Sequence, residues 1–294
     1  MSAKILDGKV VSAEIKANIK REVEKLSARG ITPGLATILV GENPASQIYV
    51  RNKHKDCQEA GFISCDITLP ADTPETSLLA KINELNHDGK VHGILVQLPL
   101  PAQINTDKVL AAISPEKDAD GFHPMNMGRL LAAKDFRAIE ESTIPIPIPC
   151  TPRGCMEFIK RTGVPVSGLN AVVLGRSTIV GKPMAILLLG HHATVTIAHS
   201  RTKNLQALCR EADILVAAIG KPRMVSADMV KAGAIVIDVG INRNADGTIS
   251  GDVDWNTVKE KAGWITPVPG GVGLMTRAML LMNTLMLAKC RGNS

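Results

Sequence analysis

The chain has 294 residues with a net charge of +6, and 45% hydrophobic against 21% charged residues is a globular balance that excludes a disordered chain. Aromatic residues make up only 2%, so a core must be aliphatic, which favours a layered α/β fold and leaves no stacking platforms for single-stranded nucleic acid. No Lys/Arg run is long enough for a nucleic-acid arm, so the charge excess better suits a pocket for a small anionic ligand.

The N-terminus, MSAKILDGKVVSAEIKANIK, is charged throughout and lacks the apolar run of a secretory signal. The apolar run LATILV predicts a buried strand over 35–40, and a helix over Pro44–Ala60 follows with Pro near its start. A strand at 63–69, a helix at 74–85, a strand at 92–98 and a helix at 105–113 complete a βαβαβα series, which implies a parallel sheet. Residues 131–149 mix charges with Pro145, Pro147 and Pro149, cannot be helical near their end, and read as an interdomain connector.

The alternation then resumes. Helices are expected at 151–162, 180–189 and 205–211, and strands at 170–174, 194–198, 213–219, 233–239 and 264–266. The last segment, 273–289, reads as one long apolar helix that must pack on another unit, plausibly the first domain. Its run AMLLMNTLMLA is too short to span a bilayer, and Met275, Met279, Met282 and Met286 fall at the spacing of a core stripe. Six scattered cysteines form no CxxC pair and seven histidines show no HExxH spacing, so reduced thiols in a cytoplasmic protein without a metal are expected.

Candidate chemistry concentrates in a few short stretches. Gly175-Arg176-Ser177-Thr178-Ile179-Val180-Gly181 runs from strand into turn into helix, where a helix start favours phosphate, although a full GxGxxG is absent and a plain tight turn fits equally. The next strand ends in His199-Ser200-Arg201-Thr202-Lys203, with no acid for a ribose hydroxyl, which favours NADP over NAD. Ser46, Tyr49 and Lys53 share one face of the 44–60 helix, which on spacing alone also fits a solvent-facing stripe. A ring can stack on a flat substrate, and a desolvated lysine can act as a neutral base. Gln97-Leu98-Pro99 ends the third strand, and Asp118 and Asp120 stand in the following loop, where a solvated turn is the plainer reading. Pro267 to Thr276 brings Gly270, Gly271 and Gly273 to the start of the last helix, where glycines permit close backbone approach or a hinge. A dehydrogenase for another substrate would not require the Tyr49/Lys53/Gln97/Asp120 set, and a silent dinucleotide module would not require Lys53.

These segments together closely resemble the FolD-type bifunctional methylenetetrahydrofolate dehydrogenase/cyclohydrolases over essentially the whole chain. The motifs are Tyr49-Val50-Arg51-Asn52-Lys53, Val96-Gln97-Leu98-Pro99-Leu100-Pro101, Lys117-Asp118-Ala119-Asp120-Gly121-Phe122, Pro149-Cys150-Thr151-Pro152, the 175–181 turn and Pro269-Gly270-Gly271-Val272-Gly273. Leu274 departs from the family's usual Pro, Ala119 from a common Val, and the 132–149 connector looks longer than typical. The resemblance implies an α/β fold of two domains. The first is a catalytic, folate-binding domain over 1–142, completed by 273–294 as the last helix returns to it. The second is a Rossmann-like NADP-binding domain over 143–272.

It further implies hydride transfer from 5,10-methylenetetrahydrofolate to NADP, then hydrolysis of the methenyl product to 10-formyltetrahydrofolate, with folate bound in the cleft between the halves. This is one-carbon supply to purine, histidine and methionine biosynthesis. By the same resemblance Lys53 is the hydrolytic base, Gln97 tunes it, Tyr49 stacks on the folate and Asp120 holds the pterin edge. Ser46, Leu98, Pro99, Gly270, Gly271, Val272 and Gly273 join Tyr49 and Asp120 in binding substrate. Gly175, Arg176, Ser177, Ile179, Ser200, Arg201 and Ile241 bind the cofactor. Tetrahydrofolate derivatives are the implied ligands, a homodimer through the cofactor domain the implied assembly, and neither nucleic acid nor membrane is a partner.

Overall fold

The structure is a computed structural model that describes residues 2–291. In chain order its strands and helices are β1 (Lys4–Ile5), α1 (Gly8–Ser27), β2 (Gly34–Val40), α2 (Pro44–Ala60), β3 (Ile63–Leu69), α3 (Glu75–His87), β4 (Gly93–Val96), α4 (Thr106–Ala112), α5 (Pro124–Ala132), α6 (Phe136–Glu140) and α7 (Cys150–Arg161). They continue with β5 (Asn170–Leu174), α8 (Gly181–Gly190), β6 (Thr194–Ala198), α9 (Leu205–Arg210), β7 (Ile214–Ala217), β8 (Ile235–Asp238), β9 (Asn242–Arg243), β10 (Ile249–Ser250), α10 (Trp255–Val258), β11 (Trp264–Ile265) and α11 (Val272–Arg291). The chain divides into two compact units, with divisions within α1, α5 and α11 and on either side of residues 142–148.

One unit comprises Glu14–Leu130, Ser142–Ile148 and the chain from Arg277 onward. Its sheet has three parallel strands in the order β3-β2-β4. Central β2 is buried at every position, which explains its continuous apolar run GLATILV. Edge strand β3 instead alternates exposed and half-buried residues. Ile38, Ile82, Ile94 and Val109 pack between the sheet and helices α3 and α4. The last helix closes this unit, as expected. Asn283 donates to the carbonyls of Ala119 at 2.9 Å and Ile148 at 2.8 Å, and Asn283 and Thr284 are fully buried. A Cβ on Gly93 would lie 2.9 Å from Thr284 Oγ1, so the helix runs hard against β4.

The other unit comprises the N-terminal residues to Ala13, Leu131–Glu141 and Pro149–Thr276. Its six strands, ordered β1-β11-β8-β7-β5-β6, are all parallel. Val172, Leu174, Leu215, Val236 and Ile265 form its aliphatic core. A small antiparallel hairpin, β9–β10, turns through Gly247 at φ +82°.

Two differences from the sequence reading stand out. Helix α1 lies where no element is expected: Val11, Ile15, Ile19, Val23 and Leu26 form a buried stripe among many charges. The 131–149 segment is not wholly connector, because α6 sits inside it, capped by Asp135 accepting from Ala138 N at 2.9 Å. From 142 to 149 there is no helix, as the prolines dictate. Among the described residues no helix is long and apolar enough to cross a membrane.

Candidate active site

Helix α2 starts where Asn43 Oδ1 accepts from Ser46 N at 3.2 Å, with Pro44 at the first helical position, where its missing N–H costs nothing. The face bearing Ser46, Tyr49 and Lys53 is not a solvent stripe. Ser46 is 4% exposed, Lys53 9% exposed, and Tyr49 is half-buried. Lys53 Nζ donates to Gln97 Oε1 at 3.0 Å. Gln97 N extends the ladder one residue past β4 by donating to Ile38 O at 2.8 Å, which fixes where its side chain starts. Its Nε2 donates to Leu98 O at 2.8 Å, so the amide is oriented with Oε1 toward the lysine. Leu98 is half-buried, Pro99 is exposed, and the peptide between them is cis.

The two loop aspartates have different jobs. Asp118 is 2% exposed, which overturns the solvated-turn reading for it. Its Oδ1 accepts from Gly121 N and Phe122 N at 3.0 and 3.1 Å, and its Oδ2 accepts from His123 N and Asn126 Nδ2, both at 2.9 Å. Burial pushes its carboxyl above the usual carboxylate range even against these donors. Gly121, at φ +75°, takes the left-handed turn this wrap requires. Asp118 pairs with Ile94 in an isolated parallel bridge beside β4, and half-buried Asp120 follows it in the same loop. Lys53 and Gln97 therefore meet where β4 ends, and Asp118 shapes the loop that carries Asp120.

In the six-stranded unit, the turn after β5 needs its glycines. A Cβ on Gly175, which sits at φ +118°, would lie 2.1 Å from Ala218 O, and one on Gly181 would lie 2.2 Å from Gly175 O. Ser177 Oγ accepts from Val180 N and Gly181 N, both at 3.2 Å, and so holds the turn that leads into α8. Arg176, Ser177, Thr178 and Ile179 stand exposed on this loop. Leu174 pairs with Ala198, so the 175–181 turn and the turn bearing Ser200 and Arg201 rise from the same level of neighbouring strands. Thr202 holds that second turn, its Oγ1 accepting from His199 N at 2.9 Å, and leaves Ser200 and Arg201 exposed. Ile241, half exposed, follows β8 at the same end of the sheet. The exposed cations and hydroxyl, with no carboxylate on the turn, fit a phosphorylated dinucleotide.

Two buried aspartates that the sequence reading missed brace this end. Asp252 is fully buried and accepts from the backbone N of Ile219, Gly220 and Lys221 at 2.7, 3.0 and 2.9 Å. Asp238 accepts from Gly240 N at 3.0 Å, Asp252 N at 2.9 Å and Val253 N at 3.0 Å. Burial pushes the Asp238 carboxyl up to about 7, and the neighbouring Asp252 adds to the rise. An acid at a strand end flanked by Gly240 and Gly251 is their sequence trace. Gly270, Gly271, Val272 and Gly273 fall in the six-stranded unit, not in that of Lys53. Among the described residues no cluster of His, Cys, Asp and Glu could hold a metal ion.

Residues 6–120 match the catalytic domain of tetrahydrofolate dehydrogenase/cyclohydrolase, and residues 149–292 match the NAD(P)-binding domain of the same family. The bifunctional protein FolD of Moorella thermoacetica is 56% identical over 290 residues, covering 98% of this chain and 100% of that one. The crystal structure of the bifunctional FolD of Campylobacter jejuni superposes with a TM-score of 0.94 at 49% identity, covering 99% of this chain and 100% of that one. The methylenetetrahydrofolate dehydrogenase-cyclohydrolase of Trypanosoma brucei, solved with NADP and an inhibitor, gives 0.93 at 38% identity with full coverage of both chains. With both of its domains matched in order and relatives similar along nearly their whole length, the chain belongs to the tetrahydrofolate dehydrogenase/cyclohydrolase family.

Proposed function

We propose that this chain oxidises 5,10-methylenetetrahydrofolate with NADP and then hydrolyses the methenyl product to 10-formyltetrahydrofolate, with Lys53 as the base of the second step. The observation that carries the reading is the buried Lys53 amine, held at 3.0 Å by Gln97 beside the Asp120 loop. NADP supplies the hydride acceptor. The chain's own residues do the rest. Tyr49 offers a half-buried ring for the flat p-aminobenzoyl portion, and Asp120 can accept two hydrogen bonds from the pterin's amidine-like edge. Ser46, Leu98 and Pro99 border the same face, and Gly270, Gly271, Val272 and Gly273 supply a close backbone for the folate. Loss of hydride leaves a delocalised cation and needs positioning rather than a proton acceptor. Water addition needs a base, and Gln97 presents Lys53 with a neutral acceptor that does not favour the ammonium as a carboxylate would.

NADP is preferred over NAD because Ser200 and Arg201, exposed beside the 175–181 turn, can bind a 2′-phosphate that a carboxylate would repel. Gly175, Arg176, Ser177, Ile179 and Ile241 complete that site. The folate-binding domain is assigned to 1–142 with 273–294, and the cofactor domain to 143–272. A homodimer through the cofactor domain is supported by the largely exposed edge strand β6, with Ile197 40% exposed. Absorbance-monitored turnover of methylenetetrahydrofolate with each dinucleotide tests the reading. NADP-dependent oxidation followed by methenyl decay is expected, and no turnover with either dinucleotide would sink it.

A further inference from the structure

One turn beyond Lys53 on the same face of α2, Asp56 is 4% exposed. Lys16 of α1 donates from Nζ to Asp56 Oδ1 at 2.9 Å, and Arg277 of α11 brings Nε to Oδ2 at 3.1 Å. The first contact is a hydrogen bond. The second is a close ion pair without hydrogen-bond alignment: among the described residues, Asp56 Oδ2 and Arg277 Nε are the buried side-chain polar atoms with no hydrogen-bond partner.

Stability does not account for this arrangement. The desolvation of a buried ion pair offsets most of its attraction, and well-packed apolar replacements are often neutral or stabilising. A misaligned pair also forgoes the hydrogen bond that buried polar groups normally make. What the clamp does fix is the roll of α2. The apolar contacts of a helix on a sheet are non-directional, whereas two cations from two other helices converge on one carboxylate. Asp56 lies three residues, or about 5 Å along the axis, from Lys53. A roll of about 10° would move an amine some 8 Å off the axis by more than ~1 Å, and misplacement of that order can cost ~100-fold in rate.

We propose that Asp56, clamped by Lys16 and Arg277, is a positioning residue for Lys53 that holds the amine in register with Gln97. The proposal rests on the reading of Lys53 as the hydrolytic base. It predicts that removing the clamp separates the two activities, because hydride transfer does not use that amine as a base.

The test uses the full-length enzyme, with dehydrogenase turnover and hydrolysis of directly supplied methenyltetrahydrofolate measured separately. The variants are Asp56→Leu/Arg277→Met and, in parallel, Lys53→Met. The double variant is expected to melt near the parental temperature yet lose about 10-fold or more in hydrolytic kcat, with dehydrogenase kcat far less affected. Equal losses in both activities, or no loss in hydrolysis, overturn the clamp's role. If Lys53→Met itself lowers both activities equally, the reading of Lys53 fails and takes the clamp with it. If Lys53→Met splits the activities and the double variant does not, only the clamp fails. Should the double variant not fold, Arg277→Lys and Arg277→Met replace it. Lysine keeps the charge and should retain several-fold more hydrolysis than methionine, and equal loss overturns the proposal.

Discussion

Lys53 and Gln97 stand 44 residues apart and meet at 3.0 Å, amine to amide oxygen. The amide cannot turn freely, because its other end donates to the Leu98 carbonyl at 2.8 Å. The lysine therefore faces an oxygen that is fixed in place and carries no charge. That combination orients the amine while favouring its protonated form less than a carboxylate would.

Exchanging that oxygen for a charged one should show in the pH profile. Gln97→Glu places a carboxylate at the amine, which favours the ammonium by roughly 1–3 pH units at this range. The active base is the deprotonated amine, so the rising limb of hydrolysis should move to higher pH. An unchanged limb, measured with methenyltetrahydrofolate across pH 6–10, would mean that Lys53 does not titrate in the rate.

Lys53→Met keeps the apolar stem and removes the amine. A lost general base costs ~100- to 10,000-fold, so methenyl hydrolysis should fall by that factor. Dehydrogenase turnover should remain measurable, and methenyltetrahydrofolate should accumulate as near-ultraviolet absorbance. Hydrolysis at the parental rate would remove Lys53 from the mechanism.

Arg201→Glu should erode the preference for NADP. A charge-assisted hydrogen bond contributes about 1.5–3 kcal/mol, equivalent to roughly 10- to 100-fold in the ratio of kcat/KM for the two dinucleotides. Equal efficiency with NAD in the parent protein would defeat the assignment before any variant is made.

Asp238 ties the stability of the cofactor unit to pH. Its folded carboxyl titrates at about 7 against an ordinary value of 3.8, so between those limits the native chain holds a proton that the unfolded chain has released. The stabilisation is full below the unfolded value and is lost as pH rises through 7. Asp238→Asn cannot titrate, so its melting temperature should fall less steeply than the parent's between pH 4 and 7. Parallel curves in thermal melts would refute this.

Much of the framework was legible because its burial is local. LATILV is buried on both faces, and the strand it forms is apolar at almost every position. Helix α2 announces its start through Pro44 and its chemistry through the only tyrosine. Helix α1 also leaves a trace, the stripe from Val11 to Leu26, but its lysines and glutamates hold the local hydropathy down. The two turn aspartates look alike as letters and differ in burial, which only the fold around Asn126 decides. The Asp56–Arg277 pair was illegible for a stronger reason. Neither residue stands in a motif, and nothing local marks two charges so distant in the chain as neighbours.

The share of α11 in the three-stranded unit has a consequence for biosynthesis and decay. Asn283, which ties Ala119 to Ile148, and Arg277, which reaches Asp56, leave the ribosome after every strand and helix around Lys53. The strands and helices around Lys53 are made first and must wait, unsealed, for α11. A product terminated before α11 would carry every side chain assigned to hydrolysis and lack the segment that seals them, so loss of α11 would act as a null allele. Quality-control proteases would find this unit open in every nascent chain until α11 has been made.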